Sequence, residues 1–363
     1  MQHSLRQLKN HGFTIIELLV VIVVIGILVG ISVVSYNGVQ QTARDKALLS
    51  DTENVSSELA RYSAKNGGTY GTAVAWYSGG GATNTNINFT PTSGNIIDVV
   101  TNTADYCIRG YNPASNSKTV TTASVKESTP GACVGLQPSV AAGGSATTAN
   151  SLVGWWAFNG SAKETINGMN GTVNGATLAT GEGGDANTAY AFNGTSNYIS
   201  LSSSTPLNFT NSDFTVNVWV NTGALAAAGK WYDILSSSSS DWSVGINGYV
   251  NATGYLRMTK VNQVDGPQPA TAVSQTGWHM LTTTYHTTGT NTAQIAYYMD
   301  GQSVGTAAWN YSAQGTFASA TKTIGARLSG TNGFFKGSMD DLRVYSRVIS
   351  STDVQTLYGF GAQ

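Results

Sequence analysis

Phe214-Thr215-Val216-Asn217-Val218-Trp219-Val220 alternates cleanly: Phe214, Val216, Val218 and Val220 leave one side of an extended chain and Trp219 the other. A period of two marks a strand with one face in a core. Short apolar runs of the same kind recur at residues 152–158, 198–201, 242–246, 278–285, 294–299 and 335–345, separated by Asn, Gly and Ser turns. Many short strands at this spacing predict an all-β sandwich over residues 152–363. Asp300-Gly301 between two runs predicts a tight hairpin. Ser350, three residues before Asp353, predicts a capped short helix at the end of the chain.

Upstream, residues 138–151 (PSVAAGGSATTANS) are small and uncharged and read as a flexible linker. Residues 66–137 are rich in Thr, Asn and Gly, with apolar runs at 73–77, 96–100, 106–109 and 118–125 that predict a small sheet. Before it, Val39, Leu48, Leu49, Val55 and Leu59 recur near helical spacing without proline as far as Lys65, where Asn66-Gly67-Gly68 gives a stop signal. Residues 13–34, FTIIELLVVIVVIGILVGISVV, hold one charge, Glu17, and are long enough to span a bilayer. A helix from residue 14 to 65 would be ~78 Å long at 1.5 Å per residue. Arg6 and Lys9 precede the apolar run with no acidic residue, which holds the N-terminus in the cytoplasm.

Composition narrows the function. The 363 residues carry 18 Lys+Arg against 19 Asp+Glu, only 10% charged residues and 42 glycines. A sequence-independent nucleic-acid binder needs clustered basic residues to displace counterions, so no nucleic acid is expected as a partner. Without residues 1–12, which hold Arg6 and Lys9, the count is 16 Lys+Arg against 19 Asp+Glu, a net −3. A membrane carboxylate such as Glu17 costs ~2.5–3.5 kcal/mol on insertion scales and so wants a partner. The alternative for Glu17 is a place near the interface, where it snorkels.

Gly12-Phe13-Thr14-Ile15-Ile16-Glu17-Leu18 resembles the type IV prepilin motif, a glycine followed by FTxxEL. The resemblance implies cleavage after Gly12 by a prepilin peptidase, methylation of the Phe13 amine, and pairing of Glu17 with that amine on a neighbouring subunit in a fibre. Phe13 and Glu17 are thus assembly residues. The implied partners are other pilin subunits and the inner-membrane pilus assembly machinery. The implied location is single-pass in the cytoplasmic membrane, then the extracellular surface pilus. Many family members carry a proline late in the apolar stretch, and this chain has none before Pro91. Cys107 and Cys133 lack the second pair a four-cysteine zinc site needs. The family often bridges its C-terminal region, so a disulfide worth roughly 3–4 kcal/mol is expected. Two buried free thiols are the alternative.

Leu152-Val153-Gly154-Trp155-Trp156-Ala157-Phe158-Asn159, Ala189-Tyr190-Ala191-Phe192-Asn193-Gly194, Asp213-Phe214-Thr215, Gly277-Trp278-His279-Met280, Tyr298-Met299-Asp300-Gly301 and residues 335–345 resemble, in this order, the concanavalin A-like jelly roll of laminin G-like domains. The expected fold is therefore an α+β pilin, a long N-terminal helix packed on a small antiparallel sheet, followed by an all-β concanavalin A-like jelly-roll sandwich. The expected segments are a leader (1–12), the helix (13–65), the sheet (66–137), the linker (138–151) and the jelly roll (152–363).

The jelly-roll resemblance implies two kinds of site. One is calcium held by Asp340 with oxygens around Asn159 and Glu164. Asp340 and Asp341 are adjacent on an expected strand, so their side chains should point to opposite faces. The alternative is a solvated edge carboxylate. The other is a glycan surface, for which Trp231, Trp242 and Trp309, beside Gly, Ser and Asn turns, are the rim candidates. In the Trp155-Trp156 pair only one ring can face the interior.

Catalysis is not expected. Hydrolytic relatives set two carboxylates ~5–10 Å apart, and the glucanase pattern E-x-D-x-x-E is absent from residues 152–363, whose only glutamates are Glu164 and Glu182. No serine sits in a nucleophile elbow, and His279 and His286 belong to one strand. The expected function is a pilin that displays a lectin-like domain for adhesion to glycans or cell-surface proteins. The alternative is a structural or secretion-type pseudopilin whose second domain is non-binding decoration.

Overall fold

A computed structural model describes residues 15–70, 75–77, 89–92, 95–101, 106–112, 117–122, 151–164, 166–201, 205–209, 212–222, 231–237, 242–248, 254–260, 264–265, 268–269, 272–273, 276–310, 322–327 and 333–362. The chain falls into two compact units, Met1–Ala47 and Leu48–Gln363. The first holds most of helix α1 (Ile15–Lys65), in which Ile15 and Leu19 to Val24 are about half exposed or more. Among the described residues no helix is long and apolar enough to cross a membrane. The side chains of 16–18 and 25–38, which make up much of the apolar run, lie outside the described residues.

In the second unit the end of α1 buries Leu48, Val55 and Leu59, spaced seven and four apart on one helical face. They pack on a small sheet of four described antiparallel strands in order β1 (Ala75–Tyr77), β2 (Ile96–Thr101), β3 (Tyr106–Asn112) and β4 (Ser117–Thr122). Ile97, Val99, Tyr106 and Ile108 complete that apolar cluster. Burying each such aliphatic side chain is worth about 1.5–3 kcal/mol. A polar seam runs beside it. Asp51 accepts from the Thr92 N–H (2.8 Å), the Thr92 hydroxyl (3.0 Å) and Asn95 Nδ2 (2.7 Å), and Asn112 Nδ2 donates to Asn95 Oδ1 (2.6 Å). These bonds satisfy a buried carboxylate without a cation.

The sandwich begins with β5 (Leu152–Trp156), β6 (Gly171–Asn174), β7 (Thr177–Ala179), β8 (Ala189–Asn193) and β9 (Tyr198–Leu201). It continues through β10 (Phe214–Asn221), β11 (Trp231–Ser237), β12 (Trp242–Gly248), β13 (Gly254–Lys260) and β14 (Val264–Asp265). Then come β15 (His279–Gly289), β16 (Thr292–Met299), β17 (Gln302–Asn310), β18 (Lys322–Ile324) and β19 (Lys336–Tyr345). One described sheet runs β17-β16-β15-β10-β19-β8-β7, with β5 also paired to β19, and the other β14-β13-β12-β11-β18-β9-β6.

The alternation of β10 places its residues as expected. Phe214, Val216, Val218 and Val220 enter the core between the sheets, with Leu342 and Val344 of β19 and Ile199, Ile234, Leu256 and Ile324 of the facing sheet. Trp219 leaves the opposite face and joins a second apolar cluster with Trp155, Met280, Tyr345, Val354 and Leu357. The Trp155-Trp156 pair divides the same way, Trp156 into the main core and Trp155 into the second cluster. Helix α2 (Ser351–Phe360) roofs this cluster. Its capping box is closed by Ser350 Oγ accepting from the Asp353 N–H (3.1 Å) and Asp353 Oδ2 accepting from the Ser350 N–H (3.1 Å).

Candidate functional site

The carboxylates lie at the seam where β19 meets β5 and β10. Trp219 pairs with Asp340 and Asn217 with Arg343, so Val218 alone faces two residues of β19, Asp341 and Leu342. This is a β-bulge, and Asp341 takes a left-handed φ of 48° in it. The extra residue shifts the alternation: Met339 lies in the core before the bulge, Leu342 and Val344 after it. Both aspartates therefore leave the core side, where a regular strand would have sent them to opposite faces.

Asp341 Oδ1 accepts from Trp155 Nε1 at 2.5 Å, and its Oδ2 lies 2.8 Å from Arg343 Nη2. The Arg343 guanidinium carbon stands 5.3 Å from the centre of the Trp155 ring. All three residues are buried, so the ion pair is closed off from water. Asp340 is 2% exposed; its Oδ2 accepts from the Glu182 N–H at 3.0 Å and its Oδ1 has no hydrogen-bond partner. Burial, then the neighbouring charge of Asp341 and the weaker charge of Glu182, push its carboxyl up to about 8, against the smaller opposing pull of the backbone N–H groups. Gly181 borders the pair, and a Cβ there would overlap Asp340 Oδ2 and the Thr188 hydroxyl. Glu182 itself is committed at one oxygen, Oε2 accepting from the Ala362 N–H at 3.1 Å.

Glu164 does not fit calcium. Its Oε1 accepts from the N–H groups of Trp155 (2.9 Å) and Ile166 (2.7 Å), and its Oε2 from those of Asn167 (2.7 Å) and Met169 (3.1 Å). A carboxylate offers about four lone-pair positions, so β5 and the loop after it use all of them and none faces a cation. Asn159 is part-exposed at the start of the same loop. Asp340, with one buried oxygen unpartnered, is the member of the expected set whose chemistry fits a cation. Among the described residues no group of three or more His, Cys, Asp or Glu is gathered to hold a metal ion.

The tryptophans divide as well. Trp309, expected at the rim, is 4% exposed and belongs to the main core. It is the buried position near the end of an otherwise half-exposed strand β17, opposite Ala293 of β16, whose small side chain leaves it room. Trp231 and Trp242 open β11 and β12, and their side chains lie outside the described residues. His279 Nδ1 is 2.6 Å from Asp300 Oδ2 and its Nε2 3.0 Å from the Thr276 carbonyl, while His286 Nδ1 is 2.8 Å from Asp213 Oδ2. Each histidine braces a strand end.

Gly12, Phe13 and Cys133 lie outside the described residues, as does the side chain of Glu17. Cys107 is fully buried on β3. Sequence reading missed the Glu164 amide cage and the Asp341–Trp155–Arg343 group. The signal present was a glutamate in a loop flanked by Asn and Gly, and an aspartate doublet on a strand.

No curated protein matches the chain. Among solved structures, domain 4 of the extracellular GH43 arabinanase AbnA from Geobacillus stearothermophilus, in complex with arabinotriose, is 19% identical, covering 59% of this chain and 98% of its own, with a TM-score of 0.45. The binding domain of Paraclostridial Mosquitocidal Protein 1 is 18% identical over 58% of this chain and 52% of its own, TM-score 0.46. A heptameric SAP-like pentraxin from Limulus polyphemus is 15% identical over 40% and 70%, TM-score 0.33. At these scores the likenesses carry no argument about function. Two families match the sequence itself: one described as the prokaryotic N-terminal methylation motif, over residues 7–33, and one described as the concanavalin A-like lectin/glucanases superfamily, over residues 193–355. The chain thus joins a prokaryotic N-terminal methylation motif to a concanavalin A-like jelly-roll domain.

Proposed function

We propose that this chain is a type IV pilin-like subunit that is cut after Gly12, methylated at Phe13, assembled through its N-terminal helix and Glu17, and used to present a lectin-like sandwich to glycans or surface proteins of another cell. One observation carries the reading: the methylation motif and the concanavalin A-like domain occur in one chain. The motif gives the route to the surface, and the domain gives something to display there. The implied partners are other subunits, a prepilin peptidase, the inner-membrane assembly machinery and a carbohydrate or protein ligand. A single pass through the cytoplasmic membrane before assembly and a Cys107–Cys133 bridge are part of the same proposal.

The matching superfamily includes glucanases as well as lectins. Binding rather than hydrolysis is favoured by the commitments of the sandwich's two glutamates: Glu164 holds four backbone N–H groups and Glu182 one. Calcium is proposed at Asp340 alone, where an added positive charge would offset the neighbouring charges of Asp341 and Glu182. The runner-up, a structural or secretion-type pseudopilin with a non-binding second domain, predicts the same processing and no ligand.

Two measurements test the proposal. Mass analysis of the cell-derived chain should give N-methyl-Phe13 as the first residue, and Met1 retained would refute it. The detergent-solubilised full chain, applied to a glycan panel with and without calcium, should be retained by at least one glycan class, and no retention under either condition leaves the pseudopilin reading.

A further inference from the structure

All seven residues of β3, Tyr106–Asn112, are buried. Successive residues of a strand leave on opposite faces, so a strand buried throughout is covered on both. One cover is α1, against which Tyr106 and Ile108 pack. Cys107, Arg109 and Tyr111 lie on the other face, and Tyr111, 4% exposed, belongs to the apolar cluster of the sandwich with Trp155, Trp219, Val354 and Leu357. The contact is close. Gly359, in the last turn of α2, lies against the Tyr111 ring so tightly that a Cβ there would overlap its Cγ and Cδ1. Glycine inside a helix is less favourable than alanine, and here it lets the helix seat on an aromatic face. Its neighbour Tyr358 stacks on Trp219 (5.6 Å between ring centres, 20° between planes), which anchors the same turn to the sandwich.

We propose that α2 is a latch that fixes the sandwich to the back of the small sheet through Gly359 and Tyr111, so that the two form one head in a single orientation. A small-residue tether, which is what the composition of residues 138–151 leads one to expect, keeps two parts at high effective concentration without orienting them. Orientation comes from the latch, and a pull on the sandwich is passed to the sheet and α1 through this interface. The proposal stands apart from ligand identity and from the fate of the N-terminus.

The test is a protease site placed within residues 138–151 of the full chain in detergent. Both cysteines lie before the cut, so no covalent bond joins the two pieces. The cut wild-type chain should run as one species in gel filtration at micromolar concentration. Gly359→Ala should weaken the association of the pieces about tenfold or more, because the methyl group overpacks the ring. In a Tyr111→Ala background the same substitution should have no further effect, since the ring it strikes is gone. Near-ultraviolet circular dichroism of the tryptophans checks that each variant keeps its sandwich. If Gly359→Ala folds only together with Tyr111→Ala, the contact is equally supported. Separation of the cut wild-type chain, or an equal penalty for Gly359→Ala with and without the Tyr111 ring, overturns the latch.

Discussion

Asp341 and Trp155, 186 positions apart, meet in a 2.5 Å hydrogen bond from the indole Nε1 to Oδ1. It joins the first strand of the sandwich to the bulge in the last, and Arg343 closes the group from above the indole ring. Asp341→Ala would leave the 1%-exposed Arg343 without its carboxylate and the indole without an acceptor. Removing one partner of a buried pair costs about 3–5 kcal/mol. Urea denaturation of the full chain should show a loss of that size, with a smaller one for Trp155→Phe, which spares the ion pair. A loss under about 1 kcal/mol for Asp341→Ala would show that water replaces the carboxylate.

Asp340 makes stability depend on pH. Its carboxyl is raised in the folded state to about 8 from an ordinary 3.8. Between those values the native chain keeps a proton that the unfolded chain has released, so this group's contribution falls as pH rises from about 4 to 8. Melting temperature should drop across that window. Asp340→Asn should flatten the slope and raise the melting temperature at pH 8. Calcium should restore the wild-type value at pH 8 if Asp340 is a ligand, and leave Asp340→Asn unmoved.

Glu164→Gln replaces one acceptor oxygen with a donor group, facing backbone N–H groups that then lose their partner. Either oxygen serves one buried N–H, of Trp155 or Met169, and one nearer the surface, of Ile166 or Asn167, and stranding the buried one costs about 1–3 kcal/mol. The loss should appear equally with and without calcium. A calcium-dependent rescue of the wild-type chain that Glu164→Gln abolishes would return this residue to the metal site.

Trp309→Ala should destabilise the sandwich by about 3–5 kcal/mol, the cost of emptying a core site, as measured by denaturation. Trp231→Ala should reduce retention on any glycan the wild-type chain binds. Unchanged retention would remove Trp231 from the ligand surface.

What the sequence revealed was local in origin. The period of two in 214–220 assigned the apolar β10 side chains to their clusters, and Ser350 with Asp353 announced the capping box, because both signals are carried by residues a few positions apart. The Asp340–Asp341 doublet misled because a bulge is created by pairing with a second strand: only against Asn217 and Trp219 does one residue become supernumerary. Glu164 misled similarly, since a carboxylate gives no sign in the sequence of whether it faces amides or a cation. Trp309 lies beside an Asn in a strand of small and polar residues, and its burial depends on Ala293 across the ladder. The double burial of β3 was hidden because its second cover comes from the far end of the chain.

The pairing of β5 with β19 sets Leu152 opposite Tyr345. The sandwich thus receives and releases the chain at one side, as a cassette does. A domain closed in this way can be gained, lost or exchanged by recombination at a single neighbourhood of its surface without threading the host fold. The same geometry makes it a practical site for exchange: a different jelly roll with adjacent ends could be grafted between residues 151 and 346, provided that it keeps the face of Trp155, Trp219, Met280 and Tyr345 on which α2 seats.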